Sequence, residues 1–113
     1  MKINQTRALP SHLLEEASHI GGLIARLRIA RHVTQAEAAL RAGLSRNTAY
    51  RLEKGDPGLA LGLILRYLDA IAPGKTVLGL LQEDDPALTA LGARERKQRV
   101  RDMSSAELKE LDF

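Results

Sequence analysis

Two short amphipathic segments that meet at Gly43 constrain this chain more than any other feature. The first segment begins with a capping box formed by Thr34 and Glu37, and the second follows Ser45, a favoured N-cap residue. Gly43 supplies the positive φ that a tight turn between two helices requires. The spacing therefore predicts a helix-turn-helix within Gln35–Lys54.

The apolar positions of this segment agree with that interpretation. Two helices that cross at a steep angle need a small side chain at the contact, and Ala39 lies four residues before Gly43. The positions expected to hold the second helix against the first are all apolar: Ala38, Ala42, Leu44, Ala49 and Leu52. A plain three-helix bundle is the alternative that this pattern leaves open.

The rest of the chain predicts an all-α fold. Cysteine is absent and aromatic residues make up 3% of the sequence, so Leu, Ile, Val and Ala must build the core. Helical periodicity predicts a first helix over about His19–His32. An extension back to Ser11 is the alternative, although Gly21 and Gly22 weaken that continuation. It also predicts a fourth helix over about Leu59–Ala72 and a short fifth helix at Val77–Leu81.

Three regions follow from these boundaries. Residues 1–18 are predicted to form an N-terminal arm or helix extension, and residues 19–82 the compact five-helix domain. Residues 83–113 are predicted to be an acidic linker and a basic, amphipathic tail. Within this region, 83–85 is interpreted as a solvated linker or, alternatively, a cation site. Residues 93–101 are predicted to be flexible, and 104–107 to cap a last turn.

Charge is segregated along the chain although the formal net charge is only +3. Residues 26–54 carry a net charge of +5 and residues 93–101 a net charge of +4, whereas the segments 55–92 and 102–113 are acidic. Two basic blocks in an otherwise acidic chain are typical of a polyanion-binding face. A solvated helix face is the alternative interpretation.

Several classes of protein are not expected. Disulfides, Cys-ligated zinc and thiol catalysis are excluded, and His12, His19 and His32 lack metal-ligand spacing. Residues 72–76 only approximate a phosphate-binding loop and have no preceding strand. We therefore expect no enzyme, cofactor or metal. The longest apolar run, residues 59–65, is too short for a membrane span, and the N-terminus lacks a secretory pattern, which predicts a cytoplasmic protein.

The sequence Thr34-Gln-Ala-Glu-Ala-Ala-Leu-Arg-Ala-Gly-Leu-Ser45, followed by Arg51-Leu-Glu-Lys-Gly55, resembles the Cro/Xre (phage-repressor-like) helix-turn-helix family. The resemblance covers about Ile20–Leu81 and implies that fold, with Arg28 paired to Glu53. The turn at 55–58 and the Leu-rich helix after it resemble the HipB-like branch. Its members regulate their own operons and often act as antitoxins to HipA-like kinases. Ala38 departs from the Leu that the family commonly has at that position.

This resemblance implies a DNA-binding regulator whose recognition helix spans residues 45–54. The side chains predicted to read bases are Arg46, Asn47, Tyr50 and Arg51, because guanidinium and amide groups form bidentate contacts with guanine and adenine. The predicted phosphate contacts are Gln35, Ser45, Thr48 and Lys54. The residues expected to maintain the motif are Ala39, Gly43, Leu52, Arg28 and Glu53. A surface salt bridge is the alternative role for Arg51, and Arg31 and Arg41 are expected to be solvated.

The expected partners are double-stranded DNA, a second copy of the chain and, in the antitoxin alternative, a HipA-like kinase toxin. The fourth helix and residues 77–81 are the candidate dimer surface, with an intramolecular core as the alternative. In the tail, one group of residues is predicted to clamp DNA: Arg94, Arg96, Lys97, Arg99 and Arg101. Another is predicted to dock into a partner: Leu108, Leu111 and Phe113. A solvated tail without a binding role is the alternative.

Overall fold

The computed structural model describes residues 3–82 and 85–111, with side chains as far as Asp102. The described residues form helices and no strands, which confirms the all-α prediction. In chain order the helices are α1 (Gln5–Ala8), α2 (Ser11–Ala30), α3 (Gln35–Ala42), α4 (Arg46–Glu53), α5 (Leu61–Ile71), α6 (Val77–Leu81) and α7 (Pro86–Leu111). Helices α2–α6 form the predicted five-helix domain. Within the described residues, no helix has the length and apolar character needed to cross a bilayer.

Helix α2 runs without interruption through the glycine pair that was expected to weaken it. Gly21 is buried where α2 crosses the end of α4, and a β-carbon at this position would lie 2.6 Å from the Gly55 nitrogen and the Leu52 carbonyl oxygen. A β-carbon on Gly55 would in turn lie 2.4 Å from the Ala17 carbonyl oxygen. The glycines therefore allow two backbones to touch, and this contact explains why a glycine is present within the helix.

The helix-turn-helix has the predicted caps and turn. Thr34 Oγ1 accepts from the Glu37 amide at 3.1 Å, and Ser45 Oγ accepts from the Thr48 amide at 3.0 Å. Gly43 ends α3 with φ +72°, the left-handed conformation that the turn was predicted to need. Only half of the capping box is present, because the Glu37 carboxylate accepts from Arg41.

The contact between α3 and α4 is made by alanines. Ala38, Ala39 and Ala49 are at most 1% exposed, and Leu52 closes the interface at the end of α4. Small side chains let the two helices approach closely, as the sequence pattern predicted. Helix α2 packs against α4 and adds three further buried residues to the core, Leu23, Ile24 and Leu27.

Helix α5 divides its apolar residues between the core and the surface. Tyr67, Leu68 and Ile71 are buried against α2 and α3, whereas Leu61 and Leu65 are exposed. Helix α6 repeats the division, with Leu80 buried and Leu78 and Leu81 exposed. The buried face is therefore intramolecular core, as one interpretation had it, while the dimer surface stays a prediction for the exposed face. Helix α5 begins at Leu61, two residues later than predicted, because the turn at 55–58 extends to Ala60.

The prediction of a flexible segment at residues 93–101 is wrong. These residues belong to α7, a helix of 26 residues that spans about 39 Å. Leu88 is buried against the domain, and Arg26 of α2 donates two hydrogen bonds to Glu95 at 2.6 and 2.9 Å. Helix α7 continues through residues 104–107, so no separate last turn begins there.

The interpretation of Asp85 as part of a solvated linker or cation site is also wrong. Asp85 is 3% exposed, and its Oδ1 accepts from the Ala87 amide at 2.8 Å, which caps α7. Its Oδ2 accepts from Arg31 at 2.9 Å and lies 3.5 Å from Lys75 Nζ. Burial acts to raise the pKa of Asp85, but the Arg31 and Ala87 hydrogen bonds and both cations outweigh it and lower that pKa.

Asp85→Asn is expected to reduce the free energy of unfolding by about 1–3 kcal/mol at pH 7. Because folding lowers the pKa of this carboxyl, its contribution is complete above the unfolded value of about 3.9 and is lost as the pH falls below it. Urea unfolding at pH 7 and pH 3 tests this, and the difference from wild type should shrink at pH 3. Asp102→Asn, which alters an exposed carboxylate of α7, is the control and should change stability by less than about 0.5 kcal/mol.

Candidate nucleic-acid interface

The outward face of α4 carries the side chains that were predicted to read bases. Arg46, Asn47, Tyr50 and Arg51 are all exposed, and they follow one another at intervals that place them on one side of a helix. The opposite side holds Ala49 and Leu52 in the core. The structure thus brings the four predicted residues together on a single surface.

An ion pair fixes the end of α4 to α2. Glu53 accepts from Arg28 Nε at 2.7 Å and from Arg28 Nη2 at 3.0 Å, and the Tyr67 hydroxyl donates to the same carboxylate. Arg28 Nη1 donates to the Val33 carbonyl at 2.9 Å. The hydrogen bond that Arg28 donates to Glu53 raises the pKa of Arg28 above its usual range, against the effect of burial. Arg28 is therefore paired with Glu53, as the resemblance implied.

Arg51 forms the surface salt bridge that was its alternative role. Asp56 Oδ2 lies 2.8 Å from Arg51 Nε and 2.7 Å from Arg51 Nη2, and Asp56 Oδ1 accepts from the Gly58 amide at 2.8 Å. The Gly58 hydrogen bond is the main cause of the lowered pKa of Asp56, and Arg51 adds to it against a small effect of burial. Asp56 therefore connects the outward face of α4 to the turn that follows it.

The side chains predicted to contact phosphate differ in the hydrogen-bond donors that they can still offer to an outside acceptor. Ser45 donates to Thr48 Oγ1 at 2.8 Å, so its proton is used within the cap, whereas the Thr48 hydroxyl keeps a proton for an outside acceptor. Lys54 Nζ lies 5.4 Å from the centre of the Tyr50 ring, on the exposed face of α4. Gln35 is half-buried at the start of α3.

Other cations of the first basic block are neutralised within the fold. Arg41 pairs with Glu37 one turn away at 2.5 Å, and Arg31 pairs with the buried Asp85. Both arginines are exposed to solvent, as expected, and each also has an acidic partner. Among the described residues, no ion pair or hydrogen bond engages the side chain of Arg46. Within the first basic block, the positive charge that has no acidic partner in the described part of the chain is thus concentrated on α4 and its C-cap.

Helix α7 lies on the side of α2 opposite to α4. Arg28 of α2 reaches Glu53 on α4, and Arg26, two residues earlier, reaches Glu95 on α7. Residues two apart on a helix project to nearly opposite sides. The exposed tail cations Arg94, Arg96, Lys97, Arg99 and Arg101 therefore belong to a second surface, separate from the face of α4. Leu108, Leu111 and Phe113 lie outside the described side chains.

Comparison with known families agrees with this geometry. Residues 19–73 match a family model described as a helix-turn-helix domain. The matched region is similar to helix-turn-helix domains, and within it α3, the turn at Gly43 and α4 have that arrangement. This region comprises most of α2, the capped pair α3 and α4, and α5. No curated protein and no solved structure gives a significant match.

Sequence reasoning missed four residues that shape the helix-turn-helix domain and its surroundings. Asp85 followed by Pro86 is a helix-start signal, an N-cap followed by proline, which predicts α7 when it is read in that way. Arg66 Nη1 lies 3.7 Å from where a β-carbon of Gly43 would be, which places a further cation beside the turn. The parts played by Tyr67 and Gly21 depend on contacts between distant segments and have no local signal.

Proposed function

We propose that this protein is a sequence-specific DNA-binding transcriptional regulator of the Cro/Xre type that binds an operator as a dimer and represses its own operon. The observation that carries the proposal is the outward face of α4, where Arg46, Asn47, Tyr50 and Arg51 lie exposed on a capped, tightly packed helix. The protein acts by binding and catalyses no reaction.

The mechanism follows from the chemistry of those side chains. In helix-turn-helix proteins the second helix enters the major groove with its N-terminal residues at the base edges. Arg46 and Arg51 offer forked donors to guanine O6 and N7, and Asn47 offers a donor and an acceptor to adenine. Thr48 and Lys54 then contact the flanking phosphates, which position the helix without reading sequence.

Dimerisation is part of this proposal because one α4 reads only a few base pairs. Two half-sites about 34–36 Å apart require a two-fold dimer. Leu61 and Leu65 on α5, and Leu78 and Leu81 on α6, are exposed apolar residues that support a contact between copies. The core does not use these side chains, and a dimer interface would bury them.

Arg46→Ala is expected to weaken binding to a selected DNA site by about 5- to 150-fold, the equivalent of about 1–3 kcal/mol for one bidentate contact. Binding to DNA of unrelated sequence should change much less. The melting temperature should stay the same, because no described residue forms a hydrogen bond or an ion pair with the Arg46 side chain. The measurement is a titration of the variant against both duplexes at one salt concentration.

Arg94→Ala is the matched control, since Arg94 is an exposed cation of α7 on the other side of α2. It should leave the ratio of specific to non-specific affinity unchanged. Equal losses on both duplexes for Arg46→Ala would show that Arg46 contacts phosphate. Absence of any sequence preference in the wild-type protein would refute the regulator proposal itself.

An antitoxin or adapter that binds a HipA-like kinase is the second candidate function. It is favoured by the position of α7, whose basic surface stays exposed when α4 is docked on DNA. DNA binding would then serve autoregulation. Co-purification with a co-expressed kinase of that class, and its loss when residues 102–113 are removed, is the measurement that tests this candidate.

A further inference from the structure

The salt bridge between Arg51 and Asp56 uses only one edge of the guanidinium. Asp56 Oδ2 contacts Nε and Nη2, which together form the side edge of the group. Among the described residues, no hydrogen bond from Arg51 Nη1 is present. The terminal edge, with donors on Nη1 and Nη2, is therefore available, and this is the fork that matches guanine O6 and N7.

We propose that Asp56 is a positioning residue for DNA recognition, which holds the Arg51 side chain so that its terminal fork reads one guanine. This inference rests on the proposed function, since it requires α4 to lie in the major groove. Surface salt bridge and base contact were alternative roles for Arg51. In this arrangement both roles apply at once, because the side edge of the guanidinium contacts Asp56 while the terminal edge contacts the base.

Asp56 is suited to this role because it is itself held in place. The Gly58 amide donates to Oδ1, so the carboxylate is anchored in the turn while Oδ2 faces Arg51. Asp56 is more buried than Arg51, with 23% against 46% of the side chain exposed. An arginine side chain loses rotamer entropy when it is fixed, and a partner that fixes it before binding removes part of that cost.

The experiment selects preferred sites for the wild-type protein from a randomised duplex pool and then measures base discrimination at each position. Asp56→Asn is the test variant, because the amide oxygen can still accept from Gly58 while the negative charge beside Arg51 is lost. We expect discrimination to fall about 3- to 10-fold at one guanine position and to stay unchanged elsewhere. Arg51→Ala should abolish preference at that same position, and Asp56→Asn should then have no further effect.

Two controls separate positioning from a purely structural role. Thermal melting of Asp56→Asn shows whether the turn stays folded. If positioning alone is lost, the melting temperature stays close to that of wild type while discrimination falls at one base position. Glu37→Gln removes a comparable exposed carboxylate from Arg41 and should leave every base preference unchanged.

The outcomes that overturn the inference are distinct. An equal loss at all positions in Asp56→Asn would assign Asp56 a structural role, and tighter binding or sharper discrimination would show that it competes with DNA for Arg51. Discrimination that is unchanged at every position would show that Arg51 needs no positioning. If the wild-type protein selects no preferred site, it is the proposed function that fails, and the inference fails with it.

Discussion

Gly21→Ala is expected to destabilise the protein by about 2–3 kcal/mol, whereas Gly22→Ala is expected to stabilise it by up to about 1 kcal/mol. The added β-carbon at position 21 would lie 2.6 Å from the Gly55 nitrogen and the Leu52 carbonyl oxygen, both of them backbone atoms that cannot move aside singly. A β-carbon on Gly22 meets nothing within 4 Å, so only the gain in helix propensity remains.

The two variants make a matched pair because they differ by one position in the same helix. Urea unfolding of each, compared with wild type, gives the two changes in free energy. Similar effects of the same sign would contradict the backbone contact between α2 and the turn at 55. A third variant, Gly55→Ala, should cost at least as much as Gly21→Ala, because its φ of +79° adds strain to the clash with Ala17.

Glu53→Ala is expected to reduce the free energy of unfolding by about 3–5 kcal/mol. The side chains of Arg28 and Glu53 are only 14% and 7% exposed, so removal of the carboxylate leaves a largely buried cation without a counter-charge. The Tyr67 hydroxyl, which donates to the same carboxylate, loses its acceptor as well. Circular dichroism during urea unfolding at pH 7 measures the loss.

Tyr67→Phe is the milder comparison, since it removes one donor and keeps the ring in the core. It should cost about 1 kcal/mol. The double replacement Arg28→Met with Glu53→Met should recover part of the loss in Glu53→Ala, because no unpaired charge stays buried. A loss below about 1 kcal/mol in Glu53→Ala would show that water solvates Arg28 when its partner is removed.

The fold of the central domain was predictable because its signals are local. The capping residues Thr34 and Ser45, the glycine at the turn and the small residues at 38, 39 and 49 each act within a few positions of where they stand. They predicted both helices of the motif and the residues between them. The outward face of α4 followed from the same pattern, since the side chains that do not pack must face solvent.

The errors concern contacts between distant segments. Residues 93–101 were expected to be flexible, but Leu88 and the pair between Arg26 and Glu95 tie this part of α7 to the domain. Asp85 follows two other acidic residues and was interpreted with them, although Pro86 after it marks the start of a helix. Gly21 was expected only to weaken the helix. Its contact with Gly55 could not be foreseen, because the two residues are 34 positions apart in the chain.

The alanine contact between α3 and α4 has a consequence for how binding preference can be changed. Ala38, Ala39 and Ala49 hold the two helices together without help from the side chains at 46, 47, 50 and 51. The residues that pack the two helices are separate from those that face outward. The four outward side chains can therefore be replaced together while the domain keeps its stability. The domain is therefore a scaffold on which new DNA-sequence preferences can be engineered by replacing a few surface residues.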